Sequence, residues 1–297
     1  MPQKLAPEIV VGVDGSTSSV GAARWAAAVA AKTDAPLRLV HSLPSTGHHI
    51  SDAAVVAIRA SAPDEQQGVA VRVLARAEEA VHQHFSDVKI TTEAVWDPAD
   101  DALVRAGKTA SLVVIGCDEV SPTAALLVGA TSLAVATHAA CPVVVWRGIA
   151  QPDDGPVVVG VDATPAGEAA LAAAFQFADT FGLSVRAVHA WTIRQESERT
   201  AIPYFIDWGA VAAAESRFLS ETVQPWRQRY PHVEVECLVE QAKTGRALLQ
   251  HSAGAQLVVV GNHWRSAVAS VLLGSTSLNM LHHSRIPVMV CHASEDR

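Results

Sequence analysis

Cysteine is scarce and scattered in this chain of 297 residues: Cys117, Cys141, Cys237 and Cys291 are all there is. No pair has zinc-ligand spacing, and so few in a chain this size exclude a disulfide scaffold, leaving buried thiols suited to a reducing cytosol. Basic residues are also in short supply. The chain has 22 Lys and Arg against 30 Asp and Glu, a net charge of −8, and no basic block. A nucleic-acid binder needs a basic footprint against phosphate, so specific binding of duplex DNA or RNA is not expected. Charged residues reach only 18% against a usual ~25%, while hydrophobic residues make up 49%, which excludes a disordered chain. The opening residues Met1–Glu8 hold no apolar stretch of signal-peptide length. Val120 to Trp146 carries no Asp, Glu, Lys or Arg, but Pro122, Gly129 and Pro142 divide it into pieces too short to cross ~30 Å of hydrocarbon. The expectation is a cytoplasmic protein with no membrane span.

Catalytic signatures are missing as well. There is no G-x-S-x-G elbow, no Walker loop and no H-x-G-H nucleotidyl-transfer motif. His41 and His189 end strands with no second group at ligand spacing, so they read as satisfied histidines rather than metal ligands. The adjacent pairs His48-His49 and His282-His283 point in different directions on any regular element and make poor metal sites. Cys117 is followed by Asp118 and Glu119, whose charges blunt a redox role. The expectation is a binding protein, not an enzyme. For slow ATP hydrolysis no general base can be named.

What the chain does have is itself, twice. VVGVDGS at Val10–Ser16 returns as VVGVDAT at Val158–Thr164, 148 residues on, and LRLVHS at Leu37–Ser42 returns as VRAVHA at Val185–Ala190 at the same offset. LVVIGC at Leu112–Cys117 returns as LVVVGN at Leu257–Asn262, and Gly129–Trp146 matches Gly274–Cys291 at eight of eighteen positions. Four blocks in one order mean a tandem duplication, and a unit this long is a domain rather than a solenoid repeat. Each half carries the same net charge of −4. The domains are placed at 1–148 and 149–297, with the boundary in the Gly-, Pro- and Asp-rich stretch Arg147–Pro156.

Within the first copy, strands are expected at Ile9–Asp14, Leu37–His41, Val88–Val95, Leu112–Ile115 and Pro142–Val145. Helical periods fill Ser16–Lys32, Asp64–Phe85, Ala99–Thr109 and Thr131–Ala139, with a loop at Pro44–His49. The second copy repeats the strands near Val157–Asp162, Ser184–His189, Val233–Val239, Leu257–Val260 and Val288–Val290. Continuous Val/Ile/Leu strands alternating with helices mark a parallel sheet covered on both faces. The fold class is α/β: two tandem, doubly wound, five-stranded parallel-sheet domains of Rossmann-like type.

Ligands of such sheets bind beyond the carboxyl ends of the strands, where the strand order reverses. Asp14-Gly15-Ser16, His41-Ser42 and Gly116 end there in the first copy; Asp162-Ala163-Thr164, His189-Ala190 and Gly261 do so in the second. With its VVGVDGS and VVGVDAT openings, LVVIG and LVVVG strands, GATS and GSTS turns and proline-led last strands CPVVVW and IPVMVC, the chain resembles a tandem universal stress protein over nearly all of both halves. The resemblance implies strand order 3-2-1-4-5, a switch point between strands one and four, and pairing of the two domains through the fifth strands; a homodimer is a further expectation. It also implies, as in many family members, ATP held by a G-x2-G-x9-G-[ST] loop, with Mg2+ if the triphosphate binds. Glycines admit phosphate to the backbone, and helix N-terminal amides hold it.

The resemblance therefore points to Asp14, Gly116 and Gly129 in the first copy and to Asp162, Gly261, Gly274, Ser275 and Thr276 in the second. Glu119 replaces the second glycine in the first copy and Ala130 the hydroxyl; Trp264 replaces the second glycine in the other. Acidic Asp118 and Glu119 repel a triphosphate, whereas Asn262, His263 and Arg265 do not, so the second copy is expected to bind nucleotide more tightly. The reading is a stress-response regulatory module that takes an adenine nucleotide and presents a changed surface to protein partners as yet unidentified. The alternative is a degenerate member that binds none and acts as a structural or interaction protein.

Overall fold

The computed structural model describes residues 8–43, 63–117, 128–148, 154–192, 207–262 and 273–293. They fall into two compact units. The first is built mainly of residues 8–148 together with Arg285–Val290, the second mainly of residues 154–262 with Gly274–Ser284.

In the first unit β1 (Ile9–Gly12), β2 (Leu37–Ser42), β3 (Ile90–Val95), β4 (Leu112–Gly116) and β5 (Val143–Trp146) form a parallel sheet in the order β3-β2-β1-β4-β5. That is the expected 3-2-1-4-5 order. Val10 pairs with Arg38 on one side and Val113 on the other, so β1 is central and loses both faces to packing. Ile9, Val10, Val11, Val113 and Val114 are all buried, which is why these strands read as unbroken apolar runs. Val288–Val290 also belongs to this unit, running antiparallel to β5 with Met289 opposite Val144.

Helices α1 (Thr17–Thr33), α2 (Pro63–His82), α3 (Ala99–Ala106) and α4 (Ala130–His138) complete the unit. Ser16 caps α1 by accepting from Ser19 N, and Asp34 ends it in the left-handed conformation at φ 51°. The alanine-rich face of α1 lets the helix lie close on the sheet. Gly21 takes this to the limit, because a Cβ there would meet the buried Trp146 ring at 2.6 Å or less.

The second unit repeats the plan with β6 (Val157–Gly160), β7 (Val185–Ala190), β8 (Val235–Glu240) and β9 (Leu257–Asn262), parallel in the order β8-β7-β6-β9. Its helices are α5 (Pro165–Phe181), α6 (Trp208–Arg229), α7 (Thr244–His251) and α8 (Ser275–His283); β10 is Val288–His292. The first strand of each copy is two residues shorter than its apolar run suggests. Asp14 and Asp162 are spent on the turn into the next helix instead of on the ladder. Among the described residues no helix is long and apolar enough to cross a membrane.

Candidate functional site

At the carboxyl ends of β1, β2 and β4 the first unit holds a cavity of about 430 Å³. Its floor is the backbone of Gly12 and Gly116, its sides are Asp14, His41 and Cys117, and one wall is the first turn of α4 from Gly129 to Ser132. Three of the sequence candidates, Asp14, Gly116 and Gly129, thus come together at one place.

Asp14 Oδ1 accepts from Ser16 N at 2.9 Å and Ser16 Oγ at 2.6 Å. Partial burial pushes this carboxyl up, but the hydrogen bonds from Ser16 and Ser19 outweigh it and hold the group below its ordinary value. An anionic Asp14 therefore faces the cavity while its turn starts α1. His41 is buried, and its Nδ1–H donates to Val13 O at 2.7 Å. The carbonyl can only accept, so this bond fixes which ring nitrogen carries the proton and supports the reading of a satisfied histidine.

Gly116 has a packing duty: a Cβ would lie 2.6 Å or less from backbone atoms of Ser18 and Ser19. The end of β4 and the start of α1 touch main chain to main chain. Gly129 differs. Its backbone at φ −60° and ψ 150° suits any residue, and a Cβ would meet nothing within 4 Å. It is the N-cap of α4 and supplies no side-chain cap, so the first-turn amides of that helix open onto the cavity uncapped.

Cys117 touches the buried guanidinium of Arg147, whose Nη2–H donates to Sγ at 3.1 Å. The pair was not legible in the sequence, since nothing local links residues thirty apart. Burial pushes the Cys141 thiol up to about 11. At pH 8 roughly one Cys141 in a thousand is then thiolate, so brief alkylation of the native protein should leave it unmodified by mass spectrometry. Rapid native labelling there would show that the turn before β5 opens.

In the second unit Asp162 makes the same turn, accepting from Thr164 N at 3.0 Å and Thr164 Oγ1 at 2.6 Å. Gly261 is again pinned by packing, with a Cβ 2.6 Å from the Ala166 carbonyl. His189 Nδ1–H donates to Val161 O at 2.9 Å, and its Nε2 lies 2.8 Å from Glu215. The decisive difference is Asn262, which stands where the first copy has Cys117. It is fully buried, its Oδ1 accepts from Gly274 N at 2.9 Å, and its Nδ2 has no partner. One amide at the start of α8, that of the N-cap Gly274, is thus engaged by the protein's own side chain, while Gly274, like Gly129, supplies no side-chain cap to the first turn that Ser275 and Thr276 begin. Ser277 Oγ–H, donating to Gly261 O at 3.1 Å, ties the same turn to β9. Glu119, Asp118, His263, Trp264 and Arg265 lie outside the described residues.

The sequence pattern of the universal stress protein family matches this chain twice, over residues 7–147 and 155–292. The chain belongs to the universal stress protein family. A universal stress protein of Mycobacterium tuberculosis is 35% identical over 300 residues, spanning 96% of this chain and 97% of its own. One from Mycolicibacterium smegmatis is 32% identical over 288 residues, spanning 95% and 96%. The two-repeat length is therefore shared with these relatives. A crystal structure of a universal stress protein from Archaeoglobus fulgidus superposes with TM-score 0.71 at 19% identity, covering 96% of this chain and 98% of that one. At that identity it bears on the fold of this universal stress protein and not on its ligand.

Proposed function

We propose that this universal stress protein is a stress-response binding module for an adenine nucleotide, and that the first repeat holds it. The carrying observation is the cavity of about 430 Å³ that brings Asp14 and the uncapped N-terminus of α4 to the switch point. Helix N-terminal amides with no side-chain cap favour an anionic phosphate, and a carboxylate opposite suits a ribose hydroxyl. One carboxylate also fits Mg2+ carried in on phosphates, since that ion keeps most of its water and takes few protein ligands. ATP with Mg2+ and the less charged AMP both remain within this chemistry. Sequence motifs favoured the second repeat for its intact Gly274-Ser275. Asn262 argues the other way, because its buried amide takes the Gly274 N–H that a phosphate would otherwise share.

The output of such a module is a changed surface for a protein partner, with no turnover of the ligand. The alternative, an interaction protein without nucleotide, draws its support from the second repeat, where Asn262 already takes the Gly274 amide. Mass spectrometry of the denatured, freshly purified protein should release an adenine nucleotide. Calorimetry with AMP and with Mg-ATP should show binding that Asp14→Ala weakens about tenfold and Asp162→Ala leaves unchanged, one charge-assisted hydrogen bond being worth about that much. Binding lost with Asp162→Ala and kept with Asp14→Ala would return the site to the second repeat. No heat with either nucleotide would favour the interaction protein.

A further inference from the structure

The second unit has another cavity, of about 530 Å³, lined by the turn after β6 and by α5 and α6. Leu171, Pro165 and Pro225 give it apolar walls, Asp162 and Glu168 bring two carboxylates, and Trp226 presents its indole. Trp226 stacks on Phe175 at 5.9 Å and on Tyr230 at 6.4 Å between ring centroids. The exposed guanidinium of Arg229 lies over both rings, 5.9 Å from the Trp226 centroid and 5.7 Å from that of Tyr230.

Two independent features point to one kind of guest. The aromatic face already carries a cation, the protein's own, on a side chain that solvent leaves free to move. The lining carboxylates outnumber that single guanidinium, so displacing it leaves a site with two negative charges and an electron-rich ring. An aromatic face attracts a cation through its quadrupole, and does so even at a part-exposed site such as this one. The apolar walls ask for a hydrocarbon body behind the charge, and the volume is that of a small-molecule site. The first repeat is built otherwise: Val20 stands where the repeat offset places Glu168.

We propose that the α5–α6 cavity of the second unit binds an organic ammonium compound with an apolar body, its charge set between Glu168 and the face of Trp226 in place of Arg229. The site is separate from the nucleotide cavity and does not depend on it. Arg229 then acts as a built-in competitor, which gives the two charged residues opposite effects.

The test uses the full chain, with phenethylammonium as probe and 2-phenylethanol as the neutral molecule of the same body. The readout is the indole N–H resonance of Trp226, assigned by its disappearance in Trp226→Phe. Phenethylammonium should shift this resonance saturably and at least about fivefold more tightly than the alcohol. Glu168→Gln should abolish that preference, and Arg229→Ala should tighten ammonium binding about two- to fivefold, the scale of one cation–π contact at a part-exposed site. Equal binding of amine and alcohol would overturn the proposal, as would an unmoved Trp226 resonance or weaker binding in Arg229→Ala. Both charge variants lie on exposed helix surface, so unfolding does not obscure the result.

Discussion

Replacing Gly116 by alanine is expected to lower the melting temperature of the protein by about 2–10 °C. The added Cβ has nowhere to go: the atoms within 2.6 Å are main-chain atoms of Ser18 and Ser19, which cannot rotate away as a side chain can. Either α1 lifts from β4 or the strand end bends; overpacking costs about 1–3 kcal/mol, and main chain on the far side of the contact puts this case near the upper end, about 2–3 kcal/mol. Loss of unfolded-state entropy gives back only about 0.4–1 kcal/mol. For a domain of this size each kcal/mol moves the midpoint by roughly 2–4 °C. Gly261→Ala should behave alike, since the Ala166 carbonyl and Gly167 N crowd it in the same way. Thermal unfolding followed by circular dichroism reads both. A midpoint within about 1 °C of the parent would mean that the strand–helix contact yields easily, and that these glycines answer to something else.

Gly129→Asp is expected to move stability and binding in opposite directions. The position is an N-cap with extended backbone and no side-chain cap, so an aspartate can accept from the first-turn amides of α4 without strain. Capping and the helix dipole together should add about 0.5–1 kcal/mol. The same carboxylate occupies the amides offered to phosphate and sets like charges about 4 Å apart. At an effective dielectric near 20 that repulsion is about 4 kcal/mol per unit pair before salt screens it, enough for a loss of at least about thirtyfold in nucleotide affinity. Gly129→Ser removes the amides without the charge and should fall between. A more stable protein with unaltered nucleotide affinity would show that phosphate does not sit at α4. A less stable one would show that the turn needs glycine for reasons of packing.

The fold was legible because the duplicated blocks are strands whose two faces are both buried, and burial on both faces leaves apolar runs that need no periodicity to be found. The ends of those runs were less legible. Val13 and Val161 are as apolar as the strand before them, yet they lead into turns dictated by Asp14 and Asp162 hydrogen-bonding forward to Ser16 and Thr164. The candidate site was legible as a set of positions but not as a set of roles. A motif treats its glycines alike. Gly116 is fixed by the approach of α1, a contact between residues nearly a hundred positions apart, whereas Gly129 meets nothing. Asn262 was visible as a neutral residue at a loop where the other copy has a thiol. That its amide would turn inward and accept from Gly274 N depends on the local path of the chain, which composition does not carry.

The main-chain contact at Gly116 and Gly261 bears on how such a duplicated chain ages. A repeat released from holding a ligand still needs its strand and helix to touch, so selection for a stable fold alone retains Gly261 in every generation. Gly274, at φ −58° and ψ 148°, has a backbone that ordinary residues adopt. Gly261 in the second repeat is therefore a record of the fold and not of a ligand.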